Sequence, residues 1–204
     1  MNAWYGMNGP MTRSDRRMFL RSWWRNPLGI GALLPSGRAL AKLMTREIGA
    51  ADAPIVELGA GTGVFTRALI RRGVPEHRLA LIEADAEFAR RLVFRFPQAR
   101  VLNMDAAKLG HVDGFFGEER ARAVVSGLPL LSMPIQRVVG IVASAFRHHL
   151  AGDGAFYQFT YLPRCPVPRR VLDRLGLQVE RIGAVIANVP PATVYRLRRK
   201  ETRG

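Results

Sequence analysis

From residue 55 onward the chain alternates short apolar runs with longer stretches of helical spacing, a rhythm that predicts an α/β fold. Ile55–Leu58 reads as a buried strand, and Val64-Phe65-Thr66-Arg67-Ala68-Leu69-Ile70 as the helix after it, running to about Arg72 and stopped by Gly73-Val74-Pro75. Leu79–Glu83 is the second strand, 87–96 a helix ended by Pro97, 101–103 the third strand and 121–125 the fourth. Residues 135–150 predict a helix with Val138, Ile141, Val142 and Ala145 on one face. His148 and His149 close it; neighbours on a helix cannot share one acceptor, so both read as partners of the helix dipole rather than as bases. Gly152-Asp153-Gly154 marks a turn, 155–161 a fifth strand and 169–175 a helix. Two last strands, 177–189 and 192–199, flank Pro190-Pro191 as an antiparallel pair.

Upstream of this core the pattern changes. Residues 1–10 show no helical spacing, and 11–25 predict a helix with Thr12 or Ser14 as N-cap and Asn26-Pro27 as its stop. It interleaves Arg13, Arg16, Arg17, Arg21 and Arg25 with Phe19, Leu20, Trp23 and Trp24, without a clean division into two faces. Tryptophan beside arginine suits a helix lying at lipid headgroup level; a helix docking its Trp pair on its own core is an equal reading. A glycine-punctuated stretch, 28–34, and Pro35-Ser36-Gly37 lead into a helix over 38–48 that ends at Gly49. The chain thus divides into a basic N-terminal helical segment, 1–48, and a domain spanning 49–204.

Between the first strand and its helix stands Glu57-Leu-Gly59-Ala60-Gly61-Thr-Gly63. Strand, glycine turn and helix open a nucleotide-binding βαβ unit, because glycines let the backbone turn sharply and bring N–H groups close to a ligand. A dinucleotide fingerprint fits poorly: counting Gly-x-Gly-x-x-Gly from Gly59 puts Val64 in the last position, and counting from Gly61 puts Thr66 there. Glu83 lies 26 residues beyond Glu57, about the offset at which such a unit places an acid to accept both ribose hydroxyls.

Charge is unevenly spread. The chain carries +15 overall, with 31 Lys/Arg against 16 Asp/Glu. By segment this is +6 over 1–48, +2 over 49–160 and +7 over 161–204, so the centre is nearly balanced and both ends are basic. Only Lys42, Lys108 and Lys200 are lysines, and arginine's planar fork is the better match to phosphate oxygens. Anionic lipid and nucleic acid are both partners of this kind. The single cysteine, Cys165, excludes a disulfide within the chain and agrees with a reducing cytosol, and no Cys/His cluster has metal-ligand spacing. No apolar run approaches the ~20 residues of a membrane span.

The pattern acid-x-Gly-x-Gly-x-Gly resembles the first motif of the S-adenosylmethionine-dependent methyltransferases with a Rossmann-like fold. That resemblance implies a seven-stranded, mostly parallel sheet with an antiparallel final strand, preceded by N-terminal helices. It implies that Gly59, Ala60, Gly61 and Gly63 pass under the cofactor's methionine end, that Glu57 helps hold its amino group, and that Glu83 with Ala84 meets the ribose. Asp105-Ala106 resembles the family's Asp-Ala element beside the adenine amino group. S-adenosyl-L-homocysteine would be the product.

Ser126-Gly127-Leu128-Pro129-Leu130 follows the fourth strand, where these enzymes place the loop that meets the methyl acceptor. Ribosomal RNA adenine dimethylases put Asn/Asp-Pro-Pro-Tyr or Asn-Leu-Pro-Tyr here, their aromatic residue stacking on a base; this chain has Leu130 in the aromatic position. With Arg21-Ser-Trp-Trp-Arg-Asn-Pro-Leu28, Pro35-Ser36-Gly37 and Gln158-Phe-Thr-Tyr-Leu-Pro-Arg-Cys-Pro-Val-Pro168, the whole is similar to the bacterial phospholipid N-methyltransferases. That likeness implies stepwise methylation of phosphatidylethanolamine toward phosphatidylcholine by a cytoplasmic enzyme, peripheral on the inner face of the membrane. Residues 1–48 would then be its membrane-binding and lid segment. Backbone carbonyls of Ser126 and Gly127 would orient the amine, Tyr157, Tyr161 or a water path would accept its proton, and Arg164 would meet the lipid phosphate. The tyrosines read equally well as sheet packing. An RNA adenine methyltransferase, an ornithine-lipid N-methyltransferase and a non-catalytic protein of the same fold are the competing readings, with nucleic acid the poorer fit to the loop.

Overall fold

The computed structural model describes residues 35–186 and 191–201. The expected helix over 11–25, with Arg13, Arg16, Arg17, Phe19, Arg21, Trp23, Trp24 and Arg25, lies outside the described residues, as do residues 1–34 of the expected membrane-binding and lid segment 1–48.

The described residues form eight strands and five α-helices. The strands are β1 (Ile55–Leu58), β2 (Leu79–Glu83), β3 (Arg100–Asn103), β4 (Phe115–Glu118), β5 (Ala121–Ser126), β6 (Leu150–Thr160), β7 (Leu177–Val185) and β8 (Ala192–Arg199). The helices are α1 (Pro35–Met44), α2 (Val64–Arg71), α3 (Ala86–Arg95), α4 (Ile135–Ser144) and α5 (Arg169–Arg174). Seven strands form one sheet in the order β3-β2-β1-β5-β6-β8-β7. β1, β2, β3, β5 and β6 run parallel, while β8 pairs antiparallel with both β6 and β7. The expected seven-stranded sheet with a reversed final strand is therefore present. β4 lies outside this sheet, next to an isolated antiparallel bridge between Phe116 and Glu119.

The central strands are buried on both faces, so β1 and β2 read as apolar runs interrupted only by Glu57 and Glu83. Two clusters divide the core between the faces. One joins Val56, Leu58, Val124 and Phe156 to Val138, Ile141 and Val142 of α4. The other joins Ile55, Leu81, Val125 and Phe159 to Met44, Phe65, Leu69 and Leu92 of α1, α2 and α3.

Several elements differ from the sequence pattern. α1 starts at Pro35 and ends at Met44 instead of spanning 38–48. Arg72, from the end of α2, donates to the carbonyls of Arg46 and Ile48 at 2.6 Å each, a side chain closing a turn that the helix leaves open. Gly152-Asp153-Gly154 is not a turn between elements but a bulge inside β6: Ala121 pairs with Leu150 and Ala123 with Ala155, so the residues between loop out. Arg122 holds that bulge through Asp153 at 2.9 Å. α4 ends at Ser144 and continues as one π turn, Ala145–His149. His149 is consequently buried rather than an exposed dipole partner: its Nε2–H donates to the Leu109 carbonyl at 2.8 Å and its ring stacks on Phe115 at 4.6 Å. Burial holds its pKa below the usual histidine range.

Candidate active site

Strand order reverses between β1 and β5, and the crevice outside the carboxyl ends of such strands is where open α/β sheets bind ligands. Leu58 and Ser126, the last residues of those strands, are paired neighbours. Gly127 N–H donates back to the Leu58 carbonyl at 2.8 Å, so the glycine turn and the loop after β5 start as one joined unit.

The turn itself is built on left-handed backbone. Gly59, Gly61 and Gly63 have φ of 70°, 53° and 73°, a region that side chains disfavour. Their surroundings exclude a Cβ as well: one at Gly59 would come within 2.9 Å of Leu128 Cδ2, and one at Gly63 within 2.4 Å of Phe96 Cε2. Gly127 is equally constrained, since its Cβ would meet the Gly59 carbonyl at 2.8 Å. Gly63 is therefore required by the chain's own packing, and Gly59 by its left-handed backbone, independently of any ligand. Ala60 is buried within the turn, its N–H directed at the Ile82 carbonyl at 3.3 Å.

Two carboxylates flank the turn. Glu83, at the end of β2, accepts from the Gly61 N–H at 2.7 Å through one oxygen and from the Asp85 N–H at 2.9 Å through the other. Asp85 then caps α3, accepting from the N–H groups of Glu87 and Phe88, and exposed Ala84 lies between the two acids. Glu57 is fully buried under the turn; one oxygen accepts the Thr66 hydroxyl at 2.7 Å and the other has no hydrogen-bond partner among the described residues. Burial, only partly offset by Thr66, pushes its pKa up to about 8.

Asp105 caps the short helical turn after β3, accepting from the Ala107 N–H at 2.9 Å, and its second oxygen pairs with Arg137 of α4. Partial burial raises its pKa, but the Ala107 N–H and Arg137 outweigh that and hold it below the usual range. Ala106 is buried beside it. Sequence reasoning missed Arg137, which lies 32 residues away and on a different element.

In the loop after β5, Leu130 does not stand open where the RNA enzymes place their ring. Leu128 and Leu130 are buried in the core, Pro129 is half-buried, and Leu131 is the leucine that stands exposed. The Ser126 hydroxyl is buried, 3.4 Å from the Leu128 N–H. Gln158, paired with Ser126 on the neighbouring strand, donates from Nε2 to the carbonyls of Leu128 at 2.9 Å and Phe159 at 2.8 Å. Those two bonds fix the amide's orientation, leaving Oε1 buried with no hydrogen-bond partner among the described residues. The sequence signalled Gln158 only as part of a motif, not by this chemistry.

Of the two tyrosines, Tyr157 donates its hydroxyl to Glu47 Oε2 at 3.4 Å. Arg196 bonds that same carboxylate at 2.8 Å and also pairs with Glu180. Burial first, and Glu47 second, push the Tyr157 pKa up. Tyr161 stands one residue past the end of β6, half-buried, with its ring edge-on to Phe159 at 5.5 Å. Arg164 is exposed and lines a groove of about 680 Å³ with Leu131, Val167, Leu172 and Val179.

The structure thus brings together Glu57, the three glycines, Glu83, Ser126 and Gly127. An unpartnered buried carboxyl oxygen under a glycine turn suits a ligand ammonium, and a carboxylate at the end of β2 suits a ribose diol. The residues present fit S-adenosylmethionine.

Comparison with known proteins agrees. No family model matches the chain. The ornithine lipid N-methyltransferase of Singulisphaera acidiphila is 34% identical over 189 residues, 89% of this chain and 94% of that protein. The ribosomal RNA small subunit methyltransferase A of Anaeromyxobacter dehalogenans is 34% identical over 125 residues, 56% of this chain and 41% of that protein. Among solved structures, the Burkholderia thailandensis 1,6-didemethyltoxoflavin-N1-methyltransferase superimposes with a TM-score of 0.64 at 15% identity, covering 96% of this chain and 94% of that one. The magnesium protoporphyrin IX methyltransferase of Synechocystis, solved with bound SAH, gives 0.64 at 12%, covering 91% and 100%. Those two share the fold; the full-length relationship to the first protein goes further, and the chain belongs to that N-methyltransferase's family, within the S-adenosylmethionine-dependent methyltransferases.

Proposed function

We propose that the protein methylates the amino group of a membrane lipid, phosphatidylethanolamine and its mono- and dimethyl forms, at an anionic membrane surface inside the cell. The observation that carries this reading is the loop after β5. It joins the glycine turn through Gly127 and offers half-buried Pro129 and exposed Leu131, with no Asn/Asp and no ring to stack a planar base. A flexible aliphatic amine needs neither. The second reading, an ornithine lipid as acceptor, is favoured by the likeness to the Singulisphaera acidiphila enzyme along nearly its whole length.

When bound, the cofactor supplies a methyl group on a sulfonium, open to in-line attack. What this chain adds is placement and dryness. Glu83 would hold the ribose hydroxyls, Glu57 the amino group, and Asp105 the adenine edge. An aliphatic ammonium is protonated at neutral pH and must lose a proton before it attacks. Carbonyls of Ser126 and Gly127 would orient the amine over the turn, with Leu128, Pro129 and Leu130 closing the floor beneath. Tyr161, at the strand end, or Tyr157, whose hydroxyl lies 3.4 Å from Glu47 Oε2, would pass the proton to water. Arg164 would meet the lipid phosphate, and residues 1–48, through Arg13 to Arg25 and the Trp pair, would hold the enzyme on the membrane and close over the site.

Mass spectrometry of lipid extracts after reaction with S-adenosylmethionine tests the substrate directly. Successive mass increments on phosphatidylethanolamine are expected; increments confined to ornithine lipid would select the second reading.

A further inference from the structure

Helix α3 carries a face that the described residues leave uncovered. Ala89 and Leu92 turn into the core, whereas Val93 is 55% and Phe94 91% exposed. A phenyl ring that exposed is unusual for a folded chain unless something else covers it. Arg90 and Arg91 stand one turn before Phe94 and Arg95 beside it, and with Glu87 these residues line one shallow pocket. Glu87 is already paired with Arg91, so the face is net cationic. Arg67 and Arg71 of the adjacent α2 add to the cluster: with burial the largest cause, Arg95 and Arg71 together hold the Arg67 pKa down.

The position of this face matters as much as its composition. Arg95 donates to the Thr62 carbonyl at 2.8 Å and Arg67 to the same carbonyl at 3.1 Å, while Phe96 and Leu92 fill the space beside Gly63. The uncovered face therefore adjoins the glycine turn.

We propose that the α3 face is a docking surface for an anionic phospholipid membrane, separate from the N-terminal segment. Phe94 and Val93 enter at headgroup depth and the guanidinium groups of Arg90 and Arg95 take lipid phosphates, their long stems lying along the apolar boundary. Charge complementarity selects this occupant: an apolar protein partner would leave several guanidinium groups desolvated without counter-charge. The inference rests on the lipid reading of the active site and adds where the membrane meets the fold.

Vesicles of mixed phosphatidylglycerol and phosphatidylcholine, compared with vesicles of phosphatidylcholine alone, test it on the full chain. Phe94→Ser combined with Arg90→Glu should weaken partition onto the anionic vesicles roughly ten-fold or more. Methyl transfer to detergent-dispersed lipid should be unchanged. In a second variant, Phe94→Cys with Cys165→Ser, an environment-sensitive dye at position 94 should shift to the blue when anionic vesicles are added. Unchanged partition in the first variant, or a dye that ignores vesicles, overturns the proposal. A dye already buried before vesicles are added overturns it too, since the chain or a second copy then covers the face. If no dispersed lipid is methylated yet the Phe94 and Arg90 variant still loses vesicle binding, the docking surface stands and the lipid-methylation reading falls.

Discussion

The Glu83 carboxylate accepts the Gly61 N–H at 2.7 Å, linking the end of β2 to the centre of the glycine turn that leaves β1. The same side chain also accepts from Asp85 N–H, so the acid assigned to the ribose organises both loops that would surround it. Glu83→Ala should weaken S-adenosylmethionine binding by about 1.5–3 kcal/mol, the worth of a charged acceptor, with the fold retained. Isothermal calorimetry on the purified variant measures this. Unaltered affinity removes Glu83 from the site.

Glu57 gives a pH-dependent prediction. Its folded pKa, about 8, lies above its ordinary value of 4.5, so its contribution to stability is full below 4.5 and is lost as pH rises through 8. Without cofactor, the wild type should lose stability across that window relative to Glu57→Gln, by at most about 1.4 kcal/mol per pH unit. Urea unfolding of both proteins at several pH values shows the difference. Parallel profiles would mean that the carboxyl ionises without penalty, and that the site reaches water.

Much of this site is legible in the amino-acid sequence. The glycine turn, Glu83 at its offset and Asp105 before a helical turn are local features, readable because strand, turn and cap chemistry act within a few residues. What escapes depends on contacts across the sheet. Leu130 looks like an open position in sequence, yet it is 2% exposed because the turn over Leu130–Ser132 folds it onto the α4 side of the core. His149 has the sequence pattern of a helix end, but the π turn rotates it onto Leu109 and Phe115. Arg137 and Gln158 gain their partners, Asp105 and Leu128, only when distant elements pack together.

Gln158 is expected to act as a positioning residue, holding the acceptor loop through the Leu128 carbonyl. Gln158→Leu leaves two buried carbonyls without that donor and should cost about 1–3 kcal/mol in thermal unfolding. It should also lower kcat for lipid while calorimetric affinity for S-adenosylmethionine stays within about two-fold. A variant that unfolds earlier but turns over normally would confine Gln158 to stability.

The two tyrosines separate by their surroundings. Because Tyr157 hydroxyl sits at Glu47 and Arg196, Tyr157→Phe should leave kcat within about two-fold. Tyr161→Phe, at the strand end, should lower it by roughly ten-fold or more if it relays the proton. Steady-state kinetics on lipid dispersed in detergent decide between them, and the reverse ranking would move the relay to Tyr157.

The central claim is the class of acceptor. Labelled S-adenosylmethionine offered to the protein with phosphatidylethanolamine vesicles, ornithine-lipid vesicles or ribosomal RNA measures it most directly. The account predicts label in the lipid extract, first on phosphatidylethanolamine, and none in RNA. Label in RNA with none in either lipid would contradict it.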